Sequence, residues 1–95
     1  MDFLQRMVKR VRELSKLYKA SCREFKNKFP TERLPEEYDI REYIKNTLTE
    51  LQLVETNRNS ELQDKYELEI FNVITKIMQT EADLSKHIVS KTQDI

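Results

Sequence analysis

No glycine occurs anywhere in the 95 residues, and proline occurs only twice, at Pro30 and Pro35. Tight β-hairpin turns need backbone with positive φ, which glycine adopts at no steric cost. Glycine-rich phosphate loops and nucleotide-binding turns have the same requirement. A chain without glycine is left with helices joined by short polar connections. Hydrophobic residues make up 38% of the sequence and charged residues 36%, but the apolar positions are periodic. The composition therefore reads as folded amphipathic helices and not as disorder. Ninety-five residues support one domain, spanning 1–95, with a modest core.

The first helix is expected over about residues 2–28. Leu4, Val8, Val11, Tyr18, Cys22, Phe25 and Phe29 recur at helical spacing, with Met7, Leu14 and Leu17 alongside. Pro30 ends it and pushes the residue before it toward extended geometry. Residues 30–38 form the only linker. A second helix is expected over about residues 39–56, with Asp39 and Glu42 as a capping box and Tyr38 and Tyr43 as a hydrophobic staple. Pro35 at a first helical position would begin it a turn earlier. Its apolar side carries Ile40, Tyr43, Ile44, Leu48, Leu51 and Val54. Asparagines at 57 and 59 break the pattern, and Ser60 with Gln63 forms a second capping box. The third helix is expected over about residues 60–89, on a stripe of Leu62, Tyr66, Ile70, Val73, Ile74, Ile77, Met78, Leu84 and Ile88. Residues 90–95 are expected to fray.

The expected fold class is all-α, an elongated antiparallel three-helix bundle, since short connections make neighbouring helices antiparallel. One long rod made of helices two and three is the alternative. The middle helix is the shortest. Leu4, Met7, Val8, Leu84 and Ile88 are therefore expected at an uncovered end, unless helices one and three cover each other there.

Charge is zero overall but unevenly placed. Residues 1–28 carry nine Lys and Arg against three acidic residues, a balance of +6, and the remainder carries −6. The basic first helix can complement the acidic ones, and its exposed edges can also meet an acidic partner.

Little in the sequence points to catalysis. His87 is the only histidine and is expected to face the dipole at the end of helix three. Cys22 is the only cysteine, which precludes an internal disulfide, and it falls on the apolar stripe as an inert thiol. Glu36 and Glu37 complement a helix dipole, and Glu67, Glu69 and Glu81 read as solvated helix positions. The aromatic residues of helix one sit at core spacing, so no nucleic acid is expected as a partner. No apolar run approaches a transmembrane span, and no secretory leader is evident.

Leu17-Tyr18-Lys19, Arg23 four residues on, Phe29-Pro30 at the helix end and Arg41-Glu42-Tyr43 opening the next helix resemble the LYR-motif family of small mitochondrial proteins. Lys19 stands where that family has arginine, the helix ends one residue late, and helix two is poor in arginine. The resemblance implies a three-helix, non-enzymatic adaptor. Such a protein is an assembly factor or accessory subunit of a respiratory complex, ATP synthase, the iron-sulfur machinery or the mitoribosome. It implies mitochondrial acyl carrier protein and a larger complex as partners, in the matrix or on the matrix side of the inner membrane. The basic amphipathic N-terminus suits import as an uncleaved signal.

Residue by residue, the resemblance makes Leu17, Tyr18, Lys19, Arg23, Arg41 and Lys45 the partner-binding set. Leu17 would support the core, the Tyr18 hydroxyl would lie near the surface, and Lys19 and Arg23 would meet acidic residues of the carrier. Leu14, Cys22, Phe25, Ile44, Leu48, Ile70 and Ile74 would form a seam for the carrier's acyl chain. No cofactor of the chain's own is implied, only the acylated 4′-phosphopantetheine of a bound carrier. Read without the resemblance, the same residues describe a generic helical or coiled-coil subunit of a multiprotein assembly. A third reading is a basic-helix binder of calmodulin, membrane surface or nucleic acid.

Overall fold

The computed structural model describes the backbone of residues 3–57 and 60–93, with side chains at 5–53 and 66–93. Three helices, α1 (Phe3–Lys28), α2 (Arg41–Asn57) and α3 (Ser60–Gln93), are joined by a connection holding one 3-10 turn at Glu36–Tyr38. No strand occurs among the described residues, so the chain is all-α. The molecule measures 53 × 21 × 18 Å.

Helix α1 forms because Val8, Val11, Leu14, Tyr18 and Phe25 fall on one side of a 3.6-residue period, and all are buried. Two serines join that face. Ser15 donates its hydroxyl to the Val11 carbonyl at 2.7 Å, and Ser21 donates to Glu81 of α3 at 2.9 Å. Lys26 and Lys28 lie in the last turn, where cations suit the helix dipole. The Phe29 amide still donates to the Phe25 carbonyl, and Pro30 then stops the ladder.

Sequence number rises together along α1 and α3. Ser21 meets Glu81, the Phe25 ring stacks on His87, and Lys91 sits over the Phe29 ring. Helix α2 runs in opposite register to both. One groove is lined by Arg12 and Lys19 of α1 and by α2 from Arg41 to Gln52, the Tyr18 hydroxyl meets Ile40 just before α2, and Tyr43 near the start of α2 lies under Lys76 of α3. α2 and α3 thus lie side by side, and the single merged rod does not form.

Among the described residues the expected uncovered end is not seen. Val8, Leu84 and Ile88 are 1%, 0% and 1% exposed. Because α1 and α3 run in step, Val8 and Ile88 lie at opposite ends of the molecule. The 3-10 turn packs on the last third of α3, with the Tyr38 ring 5.0 Å from His87. Met7 is half-buried against the core, and the side chain of Leu4 lies outside the described residues.

Helix boundaries differ from expectation for local reasons. α2 begins at Arg41 and not Asp39, because Asp39 holds extended backbone and spends its carboxylate on the Arg41 amide and guanidinium. The expected cap on Glu42 is thereby replaced by one on Arg41. α3 continues through residues 90–93, which were expected to fray. Lys91 pairs with Glu32 at 2.8 Å and Thr92 donates to the Ile88 carbonyl, which holds the last turn. The Ser60–Gln63 box, Val54 and Leu62 lie outside the described side chains, as do residues 94–95.

Candidate partner-binding groove

Lys9, Arg12, Lys16, Lys19, Arg23 and Lys26 alternate at spacings of three and four along α1, which places six cations on one edge of the helix. All six are exposed. This edge borders α2, whose Arg41, Lys45, Leu48 and Gln52 follow the same spacing. Between the two helices lies a groove of about 340 Å³, walled by Arg12, Lys19, Arg41 and Lys45 and floored by Ile44 and Leu48. A second hollow of about 380 Å³ continues from it toward the α1–α2 connection. Its cations are Arg23, Lys26, Arg33 and Arg41, over Cys22, Phe25 and Leu34.

Arg41 belongs to both hollows and is fixed in place. Its Nε donates to Asp39 Oδ1 at 2.9 Å and its Nη2 to Oδ2 at 2.8 Å. This bidentate pair holds the Asp39 carboxyl below its usual range and the Arg41 guanidinium above its own. Glu32, the acidic residue lining the second hollow, is engaged with Lys91. Seven cations therefore line the groove system, and the carboxylates of Asp39 and Glu32 are taken up by Arg41 and Lys91. Such an arrangement attracts a polyanionic surface, and its apolar floor adds contact area.

The sequence-derived partner set divides along the helix. Lys19, Arg23, Arg41 and Lys45 come together at the groove. Tyr18 does not join them. It is fully buried, donates to the Tyr38 carbonyl at 2.5 Å and accepts the Ile40 amide at 2.9 Å. Its expected near-surface hydroxyl is corrected by that pair of bonds, so Tyr18 positions the start of α2 and offers no contact surface. Burial pushes this hydroxyl well above its ordinary value, and the neighbouring Cys22 thiol adds to the effect. Leu17 was expected to support the core but is 58% exposed. It lies about 160° around α1 from Lys19, on the opposite edge. One partner surface in the groove cannot touch both.

The seam residues do assemble. Leu14, Phe25, Ile44 and Ile70 are buried in one core cluster, and Cys22, Leu48 and Ile74 pack half-buried against it. They fill the space between the helices, so a guest chain would enter only if the helices moved apart. Burial also raises the Cys22 thiol above its ordinary value. His87 does not face a helix end as expected. Its ring lies between Phe25, 6.1 Å away, and Tyr38.

Arg12, Lys26 and Arg33 are groove residues that the sequence reading did not assign. The three-four alternation of cations could have found the first two. Arg33 comes from the connection, where no periodicity exists to read. A smaller hollow of about 210 Å³ between α2 and α3 carries the opposite charge through Glu50 and Glu69. Burial, then the Glu69 charge, pushes the Tyr43 hydroxyl up there.

No family model, no curated protein and no solved structure matches this chain. Among the described residues, no group of three or more potential ligands could hold a metal ion. No described helix is long and apolar enough to cross a membrane.

Proposed function

We propose that this chain is a non-enzymatic adaptor of the LYR-motif kind. It is an antiparallel three-helix bundle that receives an acidic protein in the α1–α2 groove and carries it into a larger mitochondrial complex on the matrix side. One observation supports this reading above the others: Lys19, Arg23, Arg41 and Lys45, from two helices, converge with three further cations on a groove with an apolar floor. An acyl carrier protein is a partner of suitable chemistry. Its acidic recognition surface suits the cations, and the phosphate of its prosthetic arm suits the groove between Lys19 and Arg41. Entry of the acyl tail would require Ile44 and Ile70 to separate, with about 0.8 kcal/mol regained per buried methylene. Lys19 offers a point charge and not a bidentate fork, so it orients the partner less strictly than arginine would.

The deciding experiment is co-purification with an acyl carrier protein, followed by intact-mass measurement of its acylated arm. The expected result is a one-to-one complex that weakens as salt rises. Lys19→Glu combined with Arg23→Glu should abolish that complex while the circular-dichroism helix signal stays unchanged. A stable chain that ignores the carrier at low salt would reject the proposal.

A further inference from the structure

Helix α3 carries a second apolar stripe on the face turned away from the core. Leu68, Phe71, Thr75, Met78, Ala82, Ser85 and Val89 alternate at spacings of three and four. Leu68, Phe71, Met78 and Val89 are 69%, 66%, 50% and 56% exposed. A stripe of this period over about 32 Å of helix is the pattern of a coiled-coil seam. Leu17 of α1 extends it, because the contacts of Ser21 with Glu81 and Phe25 with His87 set Leu17 level with Met78.

We infer that this face binds a second copy of the chain, with the two α3 helices antiparallel about a two-fold axis at Met78. The stripe is self-complementary about that point. Phe71 would lie against Ser85 of the other copy, and Leu68 against Val89. A surface hollow of about 350 Å³, lined by Ser85, Lys86, Val89 and Ser90, stands where the other copy's Phe71 and Leu68 arrive. Thr75 meets Ala82, and Met78 meets its own symmetry mate.

Charge agrees with the same axis. The two α1 helices face each other beside it, with Leu17 against Leu17, and with Arg10, paired with Glu13 in its own chain, level with Glu24 of the other copy, paired with Lys28. Arg6 opposite Lys28 sets like charges together only at the outer margin, at exposed positions where charge pairs contribute little. The five exposed apolar side chains present on the order of 500 Å² per copy, in the upper part of the range for a monomer's largest apolar patch, which is often functional. Two copies together reach roughly the lower limit of a specific interface. This contact lies on the edge of α1 opposite the basic groove, so it stands whether or not the groove binds a carrier.

Sedimentation equilibrium of the full chain tests the inference. The expected mass is about 23 kDa, twice the 11.5 kDa of one chain. Met78→Glu sets two like charges on the axis and should give the single-chain mass with an unchanged helix signal. Single-cysteine variants in a Cys22→Ser background report orientation. Leu68→Cys should cross-link to Val89→Cys when the two are mixed, and neither should cross-link to itself. A wild-type chain that sediments at 11.5 kDa, a dimer indifferent to Met78→Glu, or self-cross-linking at Leu68→Cys would each overturn it.

Discussion

Tyr18 joins three segments through one hydroxyl. Its ring fills the core of α1, its proton goes to the carbonyl that ends the 3-10 turn, and its lone pair takes the amide just before α2. Phenylalanine would keep the ring and orphan both backbone groups, each costly when buried. Tyr18→Phe is expected to lower unfolding free energy by about 2–3 kcal/mol in a denaturant titration. The same hydroxyl sets an alkaline limit. Its folded value is raised, so its contribution is complete below the unfolded value of about 10 and is lost as pH climbs above it. A urea titration series from pH 8 to pH 11 should show wild type losing stability above about pH 10, and Tyr18→Phe losing less.

At the scale of elements, α1 exposes two edges separated by its buried face. The Leu-Tyr-Lys tripeptide contributes to all three directions, because successive residues turn by about 100°. Leu17 goes to the α3 side, Tyr18 inward and Lys19 to the α2 side. The charge reversal at Lys19 and Arg23 should therefore affect the groove alone and leave the α3 face intact. The far end of α3 depends on a different element. Lys91 pairs with Glu32 and lies 5.0 Å over the Phe29 ring, which ties the last turn to the connection. Lys91→Met should speed amide exchange in residues 90–93 by roughly fivefold or less, since such exposed contacts contribute about 1 kcal/mol or below.

The whole molecule has one core, and its centre is shared by all three helices. Ile77 of α3 is 0% exposed and belongs to the cluster that also holds Tyr18 and Ile44. Ile77→Ala is expected to cost about 2–5 kcal/mol, measured as a lower urea midpoint. A domain of this size has only several kcal/mol to lose, so the variant should be partly unfolded at 37 °C. The connection serves as part of this core and not as a linker. Tyr38 and Leu34 pack against the cluster where α2 no longer reaches, and His87 completes the cover between Phe25 and Tyr38.

The helices, their order and most of the buried faces could be read from the chain alone. Helical periodicity is local, and without glycine few alternatives compete with it. Val11, Phe25, Ile44, Ile70 and Ile77 were legible as core for that reason, and the row of cations on α1 was equally open to view. Tertiary packing decided the rest. It set which edge of α1 meets α2, which made Lys19 a groove residue and Leu17 a surface one. It turned Arg33 toward the groove, enclosed the hydroxyl of Tyr18, and drew His87 between two aromatic rings. Those outcomes depend on residues twenty to sixty positions apart meeting at one level of the bundle, and no short-range pattern encodes that distance.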